Sequence, residues 1–137
     1  MTGQGGSAKA RAMQSVILQV ALGGALGAVA RYLANVAALR VLGPGFPWAT
    51  LAVNVLGSFL MGALVVLLAK RGGTALAPFL MTGLLGGFTT FSAFSLDVAT
   101  LYERGQVAQA AAYATGSVVL SLAALFAAMA VVRGVLP

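Results

Sequence analysis

Thirteen consecutive residues, Gly83-Leu84-Leu85-Gly86-Gly87-Phe88-Thr89-Thr90-Phe91-Ser92-Ala93-Phe94-Ser95, hold much of what this chain offers a small polar species. Three glycines, four hydroxyl residues and three phenylalanines share a segment where a simple membrane helix would carry Leu, Ile and Val. Glycine weakens a helix, and Ser and Thr offer the backbone rival hydrogen bonds. A helix interrupted at membrane depth persists only where protein buries it or a watery cavity wets it. The stretch is therefore a candidate substrate or ion site. Carbonyls released by Gly86, Gly87 and Thr89 could hold a cation such as Na+. Phe91 and Phe94, three apart, would share a helical face. Such a pair is more often packed core, but a phenyl ring also has a positive edge that can touch an anion.

Two further polar sets recur at i, i+4, i+8 and so mark one helical face each: Thr50, Asn54 and Ser58, then Tyr113, Ser117 and Ser121. A carboxamide deep in a span is costly without partners, so Asn54 reads as an interhelical hydrogen bond or as a ligand to an ion or water. The hydroxyls of the second stripe either bond their own helix or line something wet. Arg31 either snorkels to the headgroups or places a positive charge at a vestibule that attracts anions.

Other chemistry is excluded by what is missing. The chain has no Cys and no His, and its two carboxylates, Asp97 and Glu103, come at the end of the third apolar run. No nucleophile pair, metal cluster or carboxylate dyad can be assembled, which argues against an intramembrane enzyme. The lack of a titrating acid at mid-depth argues equally against an obligate proton antiporter.

Four apolar runs must position these residues. The chain is 61% hydrophobic with ten charged groups in 137 residues and a mean hydropathy of +1.01, far from the roughly one-quarter charged content of soluble domains. Residues 1–14 are polar, Gly/Ser-rich and basic, and read as a disordered cytoplasmic tail; residues 15–133 read as one membrane domain. The first run covers about 15–39 and carries Gly23 and Gly27, a small-xxx-small pair suited to close helix approach. Gly43-Pro44-Gly45 breaks the chain before the second run, 47–69, where Pro47 suits a first helical turn and Trp48 an interfacial anchor. The third covers about 76–101 and the fourth about 106–132. The expected fold is all-α and integral to the membrane, with four transmembrane helices, the third of them interrupted.

The net charge of +6 does not point to nucleic acid, because the basic residues flank apolar segments as topology determinants do. Lys9, Arg11, Lys70, Arg71 and Arg133 fall on the side of the termini, and Arg40, Arg104 and Arg31 toward the other. This moderate bias favours termini inside and leaves insertion in both orientations open.

These residues resemble the fluoride channels of the Fluc (CrcB) family, from about Gly23 to Arg133. The likeness is carried by Gly23-Gly24-Ala25-Leu26-Gly27-Ala28 with Arg31-Tyr32, by Trp48-Ala49-Thr50, Val53-Asn54 and Gly57-Ser58, by Gly83 through Ser95, and by Tyr113, Ser117 and Ser121. The family pattern commonly reads Thr-Thr-Phe-Ser-Thr-Phe-Ser, whereas Ala93 here replaces one hydroxyl. The resemblance implies an antiparallel, dual-topology homodimer in the cytoplasmic membrane, with two fluoride pores along the subunit boundary. It implies that Phe91 and Phe94 turn ring edges toward fluoride and that Asn54 and Ser92 donate along the path. Tyr113, Ser117 and Ser121 would form a polar track, with Arg31 at the aqueous vestibule. A structural Na+ at the dimer centre would be held by carbonyls of Gly86 and Thr89. Two other classes are a small multidrug-type exporter, which would need a membrane-embedded Glu that the first run lacks, and a non-transporting assembly subunit.

Overall fold

The computed structural model describes residues 3–136. Four of its helical segments are long and apolar enough to cross a membrane: Lys9–Leu42, Trp48–Arg71, Pro78–Glu103 and Val107–Val135. The first helix, α1, runs over Gly3–Leu42, well upstream of Ser15. Residues 3–14, read from sequence as a disordered tail, therefore continue the helix, and Met1 and Thr2 lie outside the described residues. Ala8 through Met13 are good helix formers with no breaker before Ser15, so an established helix propagates through them.

Glycine ends α1, where Gly43 adopts φ 77° and its N–H reaches the Leu39 carbonyl at 3.2 Å. Helix α2 spans Trp48–Arg71. Pro47 stands one residue before it, and its carbonyl accepts the Leu51 N–H at 3.2 Å, so it caps α2 rather than filling its first turn. Gly72, at φ 65°, closes the other end.

The third apolar run is wound in three pieces. Pro78–Leu85 forms a π-helical segment, the wider winding with i to i+5 bonds. The three-residue α3, Gly86–Phe88, follows, and α4 covers Phe91–Glu103. Between them Thr89 (ψ 158°) and Thr90 (ψ 126°) are extended. Thr90 caps α4, its hydroxyl accepting the Ala93 N–H at 3.2 Å. Helix α5 is Val107–Val135.

The extended pair lets the chain change partners. The π-helical segment and α3 pack on α1, whereas α4 packs on α5; α2 lies along α5. Glycine permits the first contact: a Cβ at Gly23 would strike the Phe79 carbonyl and the Leu84 amide, and one at Gly27 the Leu84 carbonyl and the Phe88 amide. The pair expected from sequence to admit a close neighbour does so, and the neighbour is the Gly83 segment. The buried core is small, centred on Leu101, Ala110 and Tyr113 with Phe46, Leu51, Phe94 and Val98 around it. Leu22, Leu26, Val29, Leu33, Val119, Leu122 and Phe126 are exposed, an exterior suited to lipid or to a protein partner rather than to water.

Candidate functional site

The gap at Thr89–Thr90 is fixed by hydrogen bonds that replace the helical ladder. In a continuous helix the Thr90 N–H would meet the Gly86 carbonyl. Instead it donates to Asn54 Oδ1 at 2.8 Å, and Asn54 Nδ2 donates back to the Thr90 carbonyl at 2.9 Å. The carboxamide on α2 thus stands in for a strand partner, and one Nδ2 hydrogen is left over. The Thr89 amide and hydroxyl both reach the Leu85 carbonyl at 2.9 Å. The Gly87 carbonyl accepts from Arg31 Nε at 3.2 Å. Of the three carbonyls expected to be released, Gly87 is therefore taken by Arg31, while Gly86 has lost its i+4 donor and is exposed. Gly57 makes room for the arrangement, because a Cβ there would overlap the Thr89 methyl.

A groove of about 450 Å³ opens beside this gap. Asn54, Ser58, Thr89, Phe91, Phe94, Ser117 and Ser121 are among the residues lining it, with Gly86 at its edge. Ser117 is 4% exposed, and its hydroxyl lies near that of Tyr113 without a well-formed hydrogen bond. The α4 N-terminus abuts the groove through Phe91, and its free amides give that end a partial positive charge. Phe91 and Phe94 lie 5.4 Å apart between ring centroids with planes at 43°. Phe91 is 78% exposed, so its ring stands largely clear of the rest of the chain.

Three of the residues singled out in the sequence fall elsewhere. Tyr113 is 1% exposed and stacks on Phe94 at 5.5 Å, and its hydroxyl donates to Asp97 Oδ2 at 3.1 Å, away from the groove. Ser92 is exposed, its hydroxyl 3.3 Å from that of Thr90. Arg31 borders a separate cavity of about 30 Å³, room for one water, with Asn35, Thr50, Val53, Thr90 and Ala93. Sequence reasoning missed the tie between Asn54 and the Thr90 backbone, the acceptor role of Asp97 and the edge-on contact of Phe46 with Tyr113 at 5.4 Å. A carboxamide isolated in an apolar helix was a signal that some backbone group needed it, but not which one.

Four membrane-length helices, three of which line a largely apolar groove dotted with hydroxyls and the Asn54 amide, define a small multi-pass membrane protein of all-helical fold. Within that class, residues 18–129 match the family of the CrcB-like protein, Camphor Resistance (CrcB), and the chain belongs to this family. Relatives named Fluoride-specific ion channel FluC are similar to most of it. That of Cereibacter sphaeroides is 69% identical over 122 residues, covering 89% of this chain and 98% of the relative. That of Paracoccus denitrificans is 62% identical with the same coverage, and that of a Ruegeria species 61% over 90% of this chain and 99% of the relative.

Proposed function

We propose that the protein is a passive fluoride-selective channel, exporting F- across the cytoplasmic membrane through two pores per antiparallel homodimer. The observation that carries this reading is the single groove that gathers Asn54, Phe91, Phe94, Ser117 and Ser121 around an opening with no titratable side chain. The relatives' name supports the same ion.

Fluoride is small and strongly hydrated, so a path for it must replace its water with donors. The spare Asn54 N–H, the Ser117 and Ser121 hydroxyls and the phenyl edges of Phe91 and Phe94 supply donors without the charge that would trap the ion. The positive end of α4 favours an anion beside them. Ser92 is a donor at the path's margin, Tyr113 orients Phe94 by stacking and ends the polar track, and Arg31 makes the vestibule electropositive. No coupling group is needed. Hydrofluoric acid crosses the membrane neutral and dissociates inside, and an inside-negative potential drives the anion out.

The exposed Phe91, a large aromatic beside a groove that a second copy would close, supports the dimer. Segment 78–103 then acts as one membrane span interrupted at Thr89–Thr90. The residues fit a structural Na+ at the dimer centre. Gly86 has a carbonyl without its helical donor, Thr89 is extended, and the two from each copy would give a hard cation an oxygen shell. Bound there, Na+ would supply positive charge and tie the copies together.

The test replaces the ring edges. Phe91→Ile and Phe94→Ile should each lower fluoride efflux from proteoliposomes about tenfold or more, at unchanged dimer content on sizing columns. Efflux at the unmodified protein's rate from both variants contradicts the assigned role of the rings.

A further inference from the structure

The gap in the third segment is held from both sides, and the two holders differ in kind. On its C-terminal side Asn54 grips the Thr90 amide and carbonyl at 2.8 and 2.9 Å. On its N-terminal side the Nε–H of half-buried Arg31 donates to the Gly87 carbonyl at 3.2 Å. In an unbroken helix that carbonyl would take the Phe91 N–H, but the extended Thr89 and Thr90 carry Phe91 away. Arg31 thus supplies the donor that the gap removes.

We propose that Arg31 is a positioning residue for the channel: through its Nε–H, more than through its charge, it anchors the end of α3 so that Gly86, Thr89 and Phe91 face the groove. A partly buried carbonyl without a donor draws in water, and the segment around it loosens. The same side chain borders the small cavity that also contains Thr90, so slack on one side of the gap reaches the residue Asn54 holds on the other.

The side-chain chemistry allows charge and hydrogen bond to be separated. Glutamine carries its amide nitrogen the same number of bonds from the backbone as the arginine Nε. Arg31→Gln therefore keeps a donor at that point and loses the charge, while Arg31→Lys keeps the charge and puts a methylene there. An electropositive vestibule acting by its field alone ranks Lys above Gln; an anchoring hydrogen bond ranks Gln above Lys.

Two measurements on the purified full chain decide. In fluoride efflux from liposomes, Arg31→Gln should retain a rate about tenfold above Arg31→Lys and Arg31→Leu. In hydrogen–deuterium exchange, the peptide spanning Gly87 to Ser92 should exchange about tenfold faster in the Lys and Leu variants than in the Gln variant. The reverse order of efflux, or equal loss in Gln and Leu, overturns the proposal. The efflux arm rests on the fluoride reading. If the unmodified protein passes no fluoride, that reading fails and exchange decides alone, with equal exchange in Gln and Leu overturning the anchor.

Discussion

Asn54 satisfies a donor and an acceptor of the same residue, Thr90, in place of the helical ladder. Asn54→Leu keeps the approximate bulk and strands both groups, so thermal unfolding in detergent should show a loss of about 2 to 4 kcal/mol, with fluoride efflux lost as well. An unchanged melting temperature would mean that Thr90 finds other partners. Ser117 is the opposite case. Its hydroxyl makes no well-formed hydrogen bond, so Ser117→Ala should leave stability within about 0.5 kcal/mol and lower efflux. The sequence displayed both residues as members of polar stripes. It could not separate them, because what distinguishes them is a contact to another helix, and periodicity reports only which face a residue occupies.

At the scale of the elements, backbone contact between α1 and the Gly83 segment depends on glycine at Gly23, Gly27 and Gly83. A methyl at Gly27 meets main-chain atoms of Leu84 and Phe88, which cannot rotate away. Gly27→Ala should therefore cost about 1 to 3 kcal/mol in thermal melts, while Gly45→Ala, with nothing within 4 Å of the added carbon, should cost almost nothing. Equal melting temperatures for the two would show that α1 and the Gly83 segment do not meet this closely. Much of this level was legible beforehand. The four apolar runs, the Gly-Pro-Gly breaker and the small-xxx-small pair follow from composition and local propensity. The π winding of Pro78–Leu85 was not, since an apolar run has the same letters in either winding. Nor was the length of α1, because a polar Gly/Ser-rich start reads as disorder although good helix formers lie between it and Ser15. The exit of Tyr113 from the groove was hidden too: its stripe with Ser117 is real, but the hydroxyl is claimed by Asp97 on α4.

For the whole molecule, the apolar exterior and the outward Phe91 offer the surface on which the proposed second copy would pack. Five basic side chains gather toward the end that holds the termini. Three stand nearer the other end, and Arg31 among them keeps its charge while donating to Gly87, so the bias is five against three. An antiparallel homodimer therefore requires some chains to insert against this bias. Moving Lys70 and Arg71 to Gln should bring a C-terminal reporter closer to equal signal on the two faces, and a reporter already balanced in the unmodified chain would show the bias to be ineffective. The central claim concerns what crosses. Purified protein in liposomes loaded with fluoride or with chloride, given a potassium gradient and valinomycin to set the voltage, should release fluoride quickly and retain chloride. Chloride release at the fluoride rate, or no fluoride release above protein-free liposomes, would contradict the account.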